Sequence, residues 1–157
     1  VSSDWEAGRR ELTQEDIDAI LAFLPAFEQP GYTFGEWRPY HDERTGEALP
    51  MAYCFMAADV QAFMEALYEH HWMYPFDWTS RAWQRRMSAI RDDPARMAKT
   101  RLETMRKMLI TYARADRFCD GALVEACERG YVLAILRRVK ELAGLSSDRL
   151  ERRPGPR

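Results

Sequence analysis

Histidine and cysteine are scarce in this chain, three of each among 157 residues, and neither falls in a ligand pattern. Cys54, Cys119 and Cys127 lack metal-ligand spacing and form no Cys-x-x-Cys pair. An odd number of scattered cysteines suits free thiols in a reducing cytoplasm. The adjacent His70 and His71 lack the i,i+4 spacing of a helical metal pair, and read as one core-facing and one solvated residue. No glycine-rich phosphate loop and no nucleophile elbow is present; Gly46, Gly121 and Gly130 read as turn and cap residues. No apolar run approaches the roughly 20 residues that span a bilayer. There is no basic-then-apolar leader, so nothing argues for secretion. No metal, other cofactor or membrane contact is expected.

What the chain does hold is aromatic and charged. Five tryptophans and 46% hydrophobic residues suit a folded core of single-domain size, expected over residues 1–145. Residues 146–157 are polar with two prolines and are expected to be disordered, and residues 1–12 read as a polar lead-in with Trp5 as an anchor. The net charge of −2 hides an asymmetry. Residues 1–78 hold 4 basic and 15 acidic side chains, whereas residues 79–117 hold 11 basic and 4 acidic. Either the two segments face one another or they are solvated helix faces; a basic surface for nucleic acid is the less favoured alternative, given a pI near 6.0.

Periodicity predicts a mainly α fold, a single compact bundle of about six helices with a small β-hairpin near residues 32–56. Thr13-x-x-Asp16 opens a helix bearing Ile17, Ile20, Leu21 and Leu24, which Pro25 should end near Leu24. Two uncharged or aromatic segments flank Thr45-Gly46, with Pro50 required at an edge or a start. Asp59 reads as the cap of a helix with Val60, Phe63, Met64, Leu67 and His71 on one stripe. Thr79 or Ser80 opens a helix with Trp83, Met87 and Ile90 inward and Arg81, Arg85 and Arg86 outward. Asp93-Pro94 is a further start, Asp120 a cap for a helix over 121–129, and Gly144 the close of a last helix through Val132, Ile135, Leu136, Val139 and Leu142.

The stretch 100–121 organises the rest. Thr100-x-x-Glu103 has the capping-box pattern, and Leu102, Met105, Leu109 and Tyr112 form a stripe with Ile110 opposite, so this helix should touch protein on two faces. It runs into Arg114-Ala-Asp116-Arg117-Phe118-Cys119-Asp120-Gly121, a polar cluster where a core helix should end.

Phe76-Asp77-Trp78 with Trp83, the run Glu103–Leu109, Arg114–Gly121, Gly130 and Ile135-Leu136-Arg137-Arg138 together resemble a bacterial family known only as domain of unknown function 6508. The resemblance spans roughly residues 59–143 and implies a compact, mainly helical cytoplasmic domain without an assigned activity, so it transfers no catalytic residue. Where the family has Glu-Gly-His, this chain has Asp120-Gly121-Ala122, which argues against histidine chemistry there.

Two constellations remain. Trp72, Trp78 and Trp83 beside Arg81, Arg85 and Arg86 form either a stacking surface for bases or, the favoured reading, core and rim rings under arginine stems. Asp77, Arg114, Asp116, Arg117 and Asp120 form either a buried ion-pair network or an anion site with Asp116 as orienter or acid/base. The network is favoured, and with it a large loss of stability on Arg117→Ala. The thin catalytic inventory puts a non-enzymatic interaction or regulatory module first, engaging another protein or itself. A nucleic-acid-binding protein using residues 79–117 comes second, and a small anion-binding enzyme at Arg114, Asp116 and Arg117 third.

Overall fold

A computed structural model describes residues 8–151, with side chains described as far as Leu145. Trp5 and residues 152–157 of the tail lie outside the described residues. Helix α1 (Gln14–Leu21) begins as its sequence requires. The Thr13 hydroxyl accepts the Asp16 N–H at 3.2 Å, and the Asp16 carboxylate accepts the Thr13 N–H at 2.9 Å. The helix stops three residues before Leu24, and Pro25 sits in the first turn of a separate four-residue helix, α2 (Leu24–Phe27). There its missing N–H costs nothing, because first-turn N–H groups have no helical partner.

The expected hairpin forms from β1 (Gly35–His41) and β2 (Ala48–Met56), antiparallel, with Trp37 opposite Cys54 and Pro39 opposite Ala52. Its turn is held by the Asp42 carboxylate, which accepts the N–H groups of Arg44 and Thr45 at 2.7 and 3.0 Å, with Gly46 at φ +72°. The register slips between Pro39 and His41, and Pro50 lies opposite that slip, inside β2. Both strands of a two-stranded sheet are edges, so both prolines are tolerated. Tyr32 and Phe34 precede β1 and pack on the Phe27 ring at 5.8 and 5.4 Å.

Helix α3 (Ala58–Glu69) buries Val60, Phe63 and Leu67. Asp59 is not its cap; it lies in the first turn and accepts the Tyr32 hydroxyl at 2.9 Å. His71 is not on the stripe either, since its φ of +60° turns the chain out of the helix and leaves it exposed. Ser80 caps α4 (Arg81–Arg91), which points Trp83, Met87 and Ile90 inward, and Asp93 caps α5 (Pro94–Met97). Helix α6 (Leu102–Asp116) follows without the expected capping box. Its N-cap is Arg101; the Thr100 hydroxyl donates to the Arg96 carbonyl at 2.7 Å, and Glu103 accepts the Tyr74 hydroxyl. Helix α7 (Ala122–Glu128) ends at Gly130, and the backbone of α8 (Tyr131–Glu151) runs through Gly144 rather than stopping there.

The described chain is thus mainly helical, six longer helices and two single turns, with one hairpin. Met105, Met108, Leu109, Ile110 and Ala113 are buried, so α6 is enclosed on two faces, packed on α7 and α8. Arg106 is buried with them at 1% exposure. Its guanidinium donates to the carbonyls of Trp72 at 2.8 Å, Arg10 at 2.7 Å and His71, and stacks 4.6 Å from the Tyr74 ring. One cation therefore staples both the segment before α1 and the turn after α3 to the central helix.

Candidate functional site

The cluster at the end of α6 does not form an ion-pair network. Gly121, at φ +84°, is the N-cap position of α7 and has no side chain to satisfy that helix's first N–H groups. The Asp116 carboxylate reaches forward and accepts the Leu123 N–H at 3.0 Å. Asp120, expected to cap α7, instead accepts the Cys54 N–H of β2 at 2.7 Å and ties the hairpin to the helices. A side chain on Gly121 would meet Trp37 at 2.9 Å, so this joint is tight. Asp77 is exposed and accepts the Thr79 hydroxyl at 2.9 Å. Among the described residues, no ion pair includes Asp77, Arg114, Asp116, Arg117 or Asp120. Asp116, half-buried, and Asp120, exposed, are each met by a backbone N–H in place of a cation.

Arg114 and Arg117 consequently face a cleft of about 220 Å³ walled by Tyr74, Phe76, Trp78 and Phe118. Phe118 is 81% exposed, with its ring 6.0 Å from Trp78. This cleft presents cations and rings but no acid or base, because Asp116 is turned toward α7. Trp72 and Trp83 are no surface at all. Both are buried, their indole N–H groups donating to the Asp16 carbonyl and the Thr111 hydroxyl, each at 2.8 Å. Of the three tryptophans only Trp78 is partly exposed.

Trp78 also borders a second cavity, of about 290 Å³, between α4, α6, α7 and the start of α8. Tyr112 and Tyr131 stack along it at 6.3 Å, and the Arg91 guanidinium lies 5.0 Å over Tyr131. Arg91 is held by Asp92 (2.8 and 3.1 Å), and Arg129 by Glu125 (2.9 Å). The Tyr112 hydroxyl is buried and makes no hydrogen bond of good geometry, the Arg91 guanidinium being its near polar neighbour. Burial pushes its pKa up to about 12, against a smaller opposing pull from Arg91. In the sequence Tyr112 falls on an apolar stripe, and nothing local joins it to Arg91 and Arg129; the site exists only through tertiary packing.

Histidine and cysteine supply little. His70 Nδ1 lies 3.7 Å from the Asp16 carboxylate, and His71 Nε2 lies 2.9 Å from Arg10. No group of three or more metal-ligating side chains occurs among the described residues. The three thiols are free; burial pushes that of Cys127 up to about 12, and burial and then the Asp120 charge raise that of Cys54.

A mainly helical domain with an appended hairpin, and no assembled acid–base pair at its sequence-selected cluster, defines the class. The model of a family of unknown function, DUF6508, matches residues 12–144, and the chain belongs to that family. The match begins well before residue 59, so α1, α2 and the hairpin are part of the family unit. No curated protein matches the chain. No solved structure matches it either.

Proposed function

We propose that this domain is a non-enzymatic interaction module that docks through its hairpin onto a second copy of the same chain. The carrying observation is the exposure of Trp37, Tyr40, Leu49, Met51 and Phe55, five of the eight large apolar side chains exposed among the described residues, all on one hairpin; Tyr40, Leu49, Met51 and Phe55 share its outer face, while Trp37 lies on the face toward Gly121. Singly exposed apolar residues are ordinary, whereas a cluster on a projecting element reads as a contact surface. Arg38 lies 3.6 Å over the Phe55 ring and Tyr40 stacks on Tyr53 at 4.9 Å, which preorganises this outer face. Docking is by the face and not the edge. On β2 the Cys54 N–H is already taken by Asp120, and Pro50 has no N–H to give, which blunts that edge.

Charge argues for the occupant. The acidic and basic segments do not neutralise one another: among the described residues, no ion pair joins a cation of residues 79–117 to a carboxylate of residues 1–78. Asp42, Glu43 and Glu47 cluster at the hairpin tip, while Arg86, Arg96, Lys99 and Arg101 line a cleft of about 370 Å³ beside α4 and α5. The tip of one copy suits the cleft of the next, and three cysteines without a disulfide support a reducing compartment such as the cytoplasm. No helix among the described residues is long and apolar enough to cross a membrane.

Sedimentation velocity over a range of concentrations tests this reading. Association that weakens with salt, is lost in Glu43→Lys/Glu47→Lys, and returns when that variant is mixed with Arg96→Glu/Lys99→Glu is expected. A monomer at every concentration and low salt would refute it.

A further inference from the structure

The cavity bordered by Trp78 and Tyr112 is independent of the hairpin, and its polar groups are arranged as a receptor. Tyr112 supplies a buried hydroxyl that makes no hydrogen bond of good geometry inside the protein, with the Arg91 guanidinium as its near polar neighbour. A buried donor left unmade is costly, so the position favours any occupant that brings an acceptor. Arg91 and Arg129 line the cavity, Arg91 paired with Asp92 on its outer side and Arg129 with Glu125, so an incoming anion would share the Arg91 guanidinium with Asp92. Arg91 has five donors, of which the exposed Asp92 engages two, so its remaining N–H groups are open to a second acceptor. The walls are flat and apolar: the Trp78 indole, Met87 and the Tyr131 ring, the last already stacked on Tyr112. At about 290 Å³ the space sits at the small end of ligand sites.

We infer that this cavity binds a small aromatic carboxylate, with its carboxylate between the Tyr112 hydroxyl and the Arg91 guanidinium and its ring against Trp78 and Tyr131. A single ring with one carboxylate satisfies the Tyr112 hydroxyl, the spare Arg91 N–H groups and the flat walls together. A phosphate or sulfate would leave the apolar walls unfilled, and a neutral aromatic would offer the spare Arg91 N–H groups no charged acceptor. Trp78 also walls the Arg114–Arg117 cleft, so its emission reports occupancy of this cavity while variants in the other cleft serve as controls.

Benzoate is the probe, with benzamide as its neutral counterpart, titrated into the full chain and followed by tryptophan fluorescence and by amide shifts in NMR spectra. Saturable binding at one site is expected, with shifts centred on residues 78–91 and 111–131. Tyr112→Phe removes only the hydroxyl and keeps the ring; Arg91→Gln removes the charge. Each should weaken benzoate about tenfold or more, the loss typical of one hydrogen bond to a charged group. Benzamide should bind wild type at least about tenfold more weakly than benzoate for the same reason. Arg117→Ala, in the neighbouring cleft, should leave benzoate affinity unchanged. Near-UV circular dichroism verifies that Tyr112→Phe keeps its fold. Any of three results would overturn the inference: no saturation by benzoate, equal affinity in folded Tyr112→Phe, or equal binding of benzamide. The self-association reading stands or falls on sedimentation and is untouched by any of them.

Discussion

Replacing Arg106 by methionine should be among the most destabilising single changes in this domain. The side chain is 1% exposed, and its guanidinium donates to the carbonyls of Trp72, Arg10 and His71. Methionine fills much of the same volume, so the loss lies in the hydrogen bonds and not in a cavity. A hydrogen bond to a charged group contributes about 1.5–3 kcal/mol, and a buried acceptor left unsatisfied costs about 1–3 kcal/mol. Two of the three carbonyls belong to the turn after α3 and one to the segment before α1, where water can reach some of them once the arginine is gone. Counting one fully buried loss and two partial ones gives about 3–5 kcal/mol. Set against the roughly 5–15 kcal/mol that stabilises a domain, this is a large fraction. Burial lowers the Arg106 pKa, so desolvation of the cation offsets part of the gain. Arg106→Lys keeps a charge but not the planar fork, and should recover only a minor part of the loss. Urea denaturation of wild type, Arg106→Met and Arg106→Lys at one pH provides the comparison. A loss below about 1 kcal/mol in Arg106→Met would show that the three carbonyls find other partners, and the assignment of a staple would be wrong.

Three further outcomes are expected. Asp116→Ala should cost about 1 kcal/mol by removing the acceptor for the first turn of α7, Asp116→Asn less, and Arg117→Ala no more than about 0.5 kcal/mol, since its side chain is exposed outside any ion pair; thermal melts that rank Arg117→Ala as the worst of the three would restore the ion-pair reading. Burial opposes ionisation of Asp16, but hydrogen bonds from the Thr13 N–H and hydroxyl outweigh it and hold the folded pKa below the usual value. Its stabilisation is therefore complete above the unfolded carboxylate pKa of about 3.9 and is lost as pH falls through the folded value, so the acid limb of a stability–pH curve should flatten in Asp16→Asn. Finally, the acidic first half should keep mixed-sequence DNA and RNA from binding at micromolar or tighter affinity at physiological salt, and an electrophoretic or anisotropy titration showing such binding would promote the basic face to a nucleic-acid site.

Local chemistry was legible in the sequence where the partners are local. The Thr13–Asp16 box, the Ser80 and Asp93 caps and the hairpin turn around Gly46 all close within four or five residues, and all form. Thr100-x-x-Glu103 has the same pattern as Thr13-x-x-Asp16 and fails. Tyr74, 29 residues away, claims Glu103, while Arg96 provides a nearer acceptor for Thr100. Asp116 and Asp120 mark the correct joint, yet pattern cannot tell a cationic partner from a backbone N–H, and here both are N–H groups. Arg106 carried an unused signal. It stands four residues after Leu102 and four before Ile110, on a face with apolar neighbours above and below, where an arginine head must find buried acceptors. The cavity at Tyr112 had no comparable mark, because its lining comes from four helices.

The self-association proposal has its physical origin in the charge pattern. A chain with segregated charge can cancel it internally, by folding its acidic half against its basic segment, or leave it on the surface. Here the ion pairs are mostly local: Arg38 with Glu36, Arg91 with Asp92, Arg96 with Asp93, Arg129 with Glu125 and Arg138 with Glu141. Pairs so close in sequence trim the local field without bringing distant segments together. Meanwhile Asp116 and Asp120, the carboxylates nearest Arg114 and Arg117 in sequence, direct their charge to backbone N–H groups of α7 and β2. The joint between helices and hairpin is thereby made rigid by the same two contacts that leave the neighbouring arginines without an anion. Positive potential then persists along the clefts beside α4, α5 and the end of α6, while the hairpin tip stays acidic. Complementary patches on a single rigid body cannot meet within one molecule. On the proposed reading they are satisfied between copies.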